Sequence, residues 1–238
     1  MSPKRFLKYV TVTGADDATH HNDILKITNK FPFVEFAILL RNGEPKQRYP
    51  SDDWNKKLFN LWESNQNINI ACHICGSLVR DICKGNWSIL QNHEFVNVLS
   101  MYSRIQLNFS PYVDNINIYE FLDGINREEL RSKQIIFQLK DINHPIVATA
   151  ISNNLNIAPL FDLSGGQGIS PNNWPISNRF CGYAGGLNPD NINQQIHIIA
   201  NNADIAWIDA ESGLRTNNEF DLYKVEQFLH KAEDWVIL

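Results

Sequence analysis

Nowhere in its 238 residues does the chain carry a run approaching the roughly 20 apolar residues of a membrane span. The amino terminus has basic residues but no long apolar segment behind them, so no secretory signal is expected. Cysteine is scarce: Cys72, Cys75, Cys83 and Cys181 are too few for a disulfide-dense secreted fold, and a cytoplasmic location is the expectation. An excess of positive charge is missing as well. The net charge of -5 argues against a nucleic-acid or anionic-membrane surface, though a local basic pocket for one phosphate would not show in that sum. With 43% hydrophobic and 20% charged residues, disorder is not expected and a full core is available.

What the sequence does contain is a recurrence. Short apolar runs at 9–13, 34–40, 68–74, 105–109, 135–139, 158–163, 180–184 and 206–210 are each followed by turn residues and then a longer stretch. Several of these stretches have helical spacing, at 51–63 behind the N-capping Ser51, 77–83, 88–99, 127–132, 188–200 and 220–232. Alternation implies parallel strands joined by crossovers. Eight such units close most readily into a (β/α)8 barrel, and at this length one domain, residues 1–238, suffices. Spacing alone leaves a doubly wound open sheet as the rival.

A barrel gathers its functional groups at the carboxyl ends of its strands, with phosphate often held after strands 7 and 8. Ala184-Gly185-Gly186-Leu187-Asn188 follows the seventh run and Asp209-Ala210-Glu211-Ser212-Gly213 ends the eighth. Gly185, Gly186, Ser212 and Gly213 are the expected phosphate cradle, because glycine lets backbone N–H groups approach an anion. Either turn alone is common loop geometry, and the signal is their joint position. After the sixth run, Phe161-Asp162-Leu163-Ser164-Gly165-Gly166-Gln167-Gly168 places a carboxylate beside a loop able to cover a ligand.

These segments, in this order, resemble the phosphoribosylanthranilate isomerase family of TIM barrels, well over 161–213 and weakly over most of the chain. The resemblance implies an isomerase of tryptophan biosynthesis that converts a phosphoribosyl aldosylamine to a ketose derivative (an Amadori rearrangement). It puts Asp162 on the family's general acid and Arg48 on its substrate-contacting arginine. Asp209, Gly165 and Gly166 also fall on substrate-binding positions. Two departures matter. Where the family's first strand ends in Cys-Gly, with cysteine as general base, this chain reads Thr13-Gly14, and an alkoxide is inaccessible near neutral pH. Where the family has a small hydroxyl residue, this chain has Glu211, which either shares the pocket with Asp209 as an acid or base or pairs with Arg215 at the rim.

His73, in Cys72-His73-Ile74-Cys75, is a candidate for the missing base, against the commoner role of a buried, hydrogen-bonded histidine. The same motif lacks the second ligand pair of a structural zinc site, so neither metal nor cofactor is expected. Glu35 falls early in its strand, at the end of a barrel that serves stability. Trp174 should pack at the start of a helix after strand 6, and His20-His21 read as a solvated loop. The expected partner is a small phosphorylated ligand, held by a monomer or homodimer. A catalytically inactive phosphosugar-binding barrel and an enzyme acting on another phosphosugar are the competing expectations.

Overall fold

The computed structural model describes residues 4–42, 47–109, 113–163 and 168–237. Eight strands, β1 (Leu7–Thr13), β2 (Val34–Leu40), β3 (Asn69–Ile74), β4 (Tyr102–Leu107), β5 (Gln134–Leu139), β6 (Ile157–Asp162), β7 (Cys181–Ala184) and β8 (Ala206–Ala210), pair in chain order. All pairings are parallel, and β1 returns to β8 through Thr11↔Asp209 and Val12↔Ala210, closing the ring. The fold is a (β/α)8 TIM barrel, as the strand recurrence predicts.

Strand periodicity explains the layering. Val10 and Val12 point out into the apolar layer under the helices, whereas Thr11 and Thr13 meet the charged and polar groups inside the ring. The lumen is filled, not open. Trp207, Leu160, Ile136, Ala158 and Ala184 make its apolar plug, with Tyr9 and Phe180 packed against it. Gly182 is required there, because a Cβ would stand 2.3 Å from the Trp207 ring and 2.5 Å from a Leu160 methyl. The amino-terminal half of the lumen also holds a buried ion pair, Arg104 Nη1 to Glu35 Oε1 at 2.9 Å. Thr11 donates to the same carboxylate oxygen, and the guanidinium lies 4.1 Å from the Trp207 ring centroid. Glu35 thus sits where its early strand position places it.

The helices are α1 (His21–Lys30), α2 (Asp52–Ser64), α3 (Ser77–Ile82), α4 (His93–Val98), α5 (Ile118–Ile125), α6 (Pro145–Ser152), α7 (Ile192–Asn202) and α8 (Leu222–Ala232). Ser51 caps α2 as expected, accepting from the Trp54 N–H. Four expectations need correcting. His20 and His21 are not a solvated loop: His20 caps α1, and His21 stacks on Trp54 at 4.7 Å. The α1 stripe escaped notice because only Ile24, Ile27 and Thr28 are buried on it. The helix expected over 127–132 is a single 3-10 turn, Glu128–Leu130, and α5 precedes it. Residues 88–99 form not one helix but α4 flanked by 3-10 turns.

The fourth correction bears on the site. No helix follows β6 among the described residues; residues 168–180 instead run as an irregular segment, with Ser177 bridging to Ala203. Trp174 packs as expected, edge-on to Phe161 and Tyr183, with its indole N–H donating to Gln195 at 2.7 Å. Losing a helix here leaves the loop after β6 free to lie over the ends of β7 and β8. No helix among the described residues is long and apolar enough to cross a membrane.

Candidate active site

The carboxyl ends of the strands surround one cavity. Asp162 from β6, Gly185 and Gly186 after β7, and Asp209, Glu211, Ser212 and Gly213 at the end of β8 all line it. The three segments singled out in the sequence therefore converge. His73, Gln106 and Gln138 supply its floor from β3, β4 and β5.

The glycine turns are shaped by close approach. Gly185 (φ 122°) and Gly186 (φ 62°) occupy the left-handed side of backbone space. A Cβ on Gly186 would lie 2.4 Å from the Ser170 nitrogen, and one on Gly213 2.2 Å from the Leu187 carbonyl oxygen. The loop after β6 is thus seated on the β7 loop, and the β8 turn on the start of the segment leading to α7. Ser170 reinforces this by donating to the Gly186 carbonyl at 3.3 Å. Among the described residues, no acceptor takes the backbone N–H of Gly185, Gly186, Ser212 or Gly213. Gly165 and Gly166 lie outside the described residues.

The carboxylates differ in their surroundings. Asp162 is buried, and Gln138 Nε2 donates to its Oδ2 at 2.7 Å. Asp209 is buried with no ion-pair partner among the described residues; the Thr13 hydroxyl donates to its Oδ1 at 2.6 Å. Burial pushes the Asp209 pKa up to about 8, the Thr13 bond opposes that rise, and the charges of Glu211, Glu35 and Asp162 add to it. An acid so placed changes its charge in the neutral range.

Glu211 is also raised by burial, against the pull of Arg48. Its partner is not Arg215, as the rim reading held, but Arg48, whose Nη1 donates to Oε1 at 2.9 Å. Arg215 turns instead to Asp16 at 3.0 Å and to the Gly14 carbonyl at 2.7 Å, tying the first-strand turn to the β8 side. Arg48 also donates to Asn218 at 2.9 Å. It stands at the rim on Glu211 and is not among the residues lining the cavity.

His73 enters the cavity as its strand position predicts, yet it is a poor proton acceptor. Burial, with the Arg104 charge beneath it, lowers its pKa to about 3. Cys75 is no substitute: burial raises its thiol to about 12. Cys72 faces the outer apolar layer, and among the described residues no group of three or more His, Cys, Asp or Glu side chains could hold a metal ion.

Gln138 and Gln106 escaped the sequence reading as site residues. Their signal was present: each is a polar residue inside an otherwise apolar strand, in Phe137-Gln138-Leu139 and Ile105-Gln106-Leu107. In a closed barrel that phase points into the lumen. Gln106 Nε2 donates to Asn108 at 2.8 Å, and its Oε1 is buried without a partner.

Comparison with known proteins bears on the fold. Residues 124–231 match the family profile of N-(5'phosphoribosyl)anthranilate (PRA) isomerase. No curated protein matches the chain in a sequence search. Among solved structures, the chain is similar to phosphoribosyl anthranilate isomerase from Thermococcus kodakaraensis, with TM-score 0.52 and 15% identity over 96% of this chain and 98% of that one. It also matches N-(5'-phosphoribosyl)anthranilate isomerase from Pyrococcus furiosus, with TM-score 0.46 and 12% identity over 95% and 98%. The profile match covers less than half of the chain, and the likeness of fold to the Thermococcus structure extends over nearly all of it.

Proposed function

Taking the phosphoribosylanthranilate isomerase signature of this barrel as the starting point, we propose that it isomerises a phosphoribosyl arylamine by an Amadori rearrangement. Activity on phosphoribosylanthranilate itself would place it in tryptophan biosynthesis. The observation that carries the reading is the convergence of unpartnered amides from two adjacent βα turns with Asp162 in one cavity.

In this reading the amides of Gly185, Gly186, Ser212 and Gly213 hold the phosphate, using backbone dipoles and no cation. Asp162, steadied by Gln138, gives its proton to the furanose ring oxygen. The C1–O bond breaks and the nitrogen lone pair forms a C1=N iminium. A base then removes the proton from carbon 2, leaving an enolamine that tautomerises to the amino ketose.

That base is Asp209. The family's cysteine is replaced by Thr13, whose hydroxyl is not a base but hydrogen-bonds a carboxylate that ionises near about pH 8. Thr13 is therefore a positioning residue, and Glu211 with Arg48 forms the rim of the site. His73, held neutral, contributes a polar wall.

The test is direct. Purified protein is mixed with phosphoribosylanthranilate and the loss of its fluorescence is followed, with Asp162→Asn as control. Turnover that vanishes in the variant supports the reading, while a folded protein with no turnover that also fails to restore growth to an isomerase-deficient strain overturns it.

Thr13 favours a second reading, a barrel that binds phosphosugars without catalysis. It predicts thermal stabilisation by a ribulose phosphate with no turnover, and turnover appearing in Thr13→Cys.

A further inference from the structure

A second cavity, of about 240 Å³ and sharing no lining residue with the first, lies between α2, α3, α4, the carboxyl end of β2 and the start of β4. Its walls are mixed. Leu78, Ile89, Phe95 and Val98 give it an apolar side. Four polar atoms of its lining residues are buried without a hydrogen-bond partner among the described residues; Glu94 Oε2 is ion-paired with Lys56 at 2.7 Å, which leaves Tyr102 Oη, Asn55 Oδ1 and Arg41 Nε.

Neither Tyr102 nor Asn55 is a surface group; Tyr102 is 0% and Asn55 5% exposed. Asn55 is held in place, because its Nδ2 donates to the Ser51 carbonyl at 3.1 Å, which leaves the oxygen facing the cavity. Tyr102 is fixed by its ring, stacked on Phe95 at 6.2 Å and 21°. Arg41 makes no ion pair among the described residues and rests on the Tyr49 ring at 5.1 Å. Leaving such groups buried and unbonded is unfavourable, so three in one cavity point to an occupant that bonds them.

The three atoms specify what that occupant must offer. Arg41 calls for an anionic acceptor, Asn55 Oδ1 for an N–H or O–H donor, and the Tyr102 hydroxyl accepts either. The apolar wall calls for a hydrocarbon body. We propose that this cavity is a binding site for a small apolar α-amino acid, its carboxylate on Arg41, its ammonium on Asn55 and its side chain against Leu78 and Phe95.

Three probes separate the contributions: L-leucine, 4-methylpentanoic acid, which lacks the amine, and isopentylamine, which lacks the carboxylate. Titration calorimetry on the full chain should give a dissociation constant of about 1 mM or tighter for leucine. Each analogue, and leucine on Arg41→Gln or Tyr102→Phe, should bind about tenfold more weakly, the loss expected for one charge-assisted or buried hydrogen bond. Tyr102→Phe removes only an unbonded hydroxyl, so it should fold normally and keep the test interpretable. Saturating inorganic phosphate, which addresses the barrel mouth, should leave leucine binding unchanged. No saturable binding of any probe, in which case the cavity holds water only, overturns the proposal. So does binding that is indifferent to Arg41→Gln, or leucine displaced by phosphate. None of these outcomes depends on whether the barrel isomerises a phosphosugar.

Discussion

The two ends of the barrel lumen hold similar chemistry arranged to opposite effect. At the amino-terminal end, Glu35 meets Arg104 at 2.9 Å beside aromatic rings, with both side chains at most 3% exposed. At the carboxyl end, Asp209 is also buried, and among the described residues its hydrogen-bond partner is the Thr13 hydroxyl with no cation beside it. Pairing makes the first carboxylate a structural group. Burial without a cation lifts the pKa of the second to about 8, into the range where a proton can move. One ring of strands thus keeps a silent ion pair beneath a titratable acid, and burial, helped by the Arg104 charge, lowers the pKa of His73 between them.

This contrast breaks most visibly at Asp162. Asp162→Asn should lower turnover by about 10²- to 10⁴-fold, the usual worth of a general acid, while thermal denaturation barely moves. The reverse pattern, intact turnover with a lower Tm, would assign the carboxyl end to structure as well. Arg104→Met should do the opposite, costing about 3–5 kcal/mol of stability by stranding the Glu35 charge. Denaturant unfolding measures that cost, and the double variant Glu35→Met/Arg104→Met should recover most of it.

The pH dependence sharpens the comparison, because Asp209 at the carboxyl end has its pKa raised to about 8. Asp209 has a folded pKa of about 8, above its ordinary value of 3.8, so the folded state holds the proton more tightly than the unfolded one. Its stability contribution is complete below pH 4 or so and is lost as pH rises through about 8. Turnover should rise over the same upper range as the base ionises. Asp209→Asn should flatten the melting temperature between pH 6 and 9 relative to the parent and abolish the rising limb of the rate profile. The smallest effect belongs to Thr13→Val. Removing the hydroxyl that opposes the rise should shift the midpoint of the pH–rate profile upward and cost about 1 kcal/mol of stability. An unmoved midpoint would show that Asp209 is not the group being titrated.

Much of the site was legible because its parts lie in short contiguous segments. Gly185-Gly186 and Ser212-Gly213 fall just past the ends of β7 and β8, and Asp162 ends β6, so strand counting sufficed to bring them together. The residues that escaped are those whose meaning depends on a partner far along the chain. Gln138 matters through Asp162, and Arg48 turned from the cavity to Glu211, 163 residues away. Of the helices, α1 was missed because a three-residue buried stripe gives little periodicity, and the helix expected after strand 6 is absent from the described residues.

From the sequence alone came the number and order of the strands and the segments that end at the carboxyl face. These follow from periods of two and from glycine turns, which neighbouring residues enforce locally. Tertiary structure alone decided how far the Asp209 pKa would move. That property depends on the desolvation, hydroxyl and distant charges the group meets once the ring closes, none of which is written in the residues flanking it.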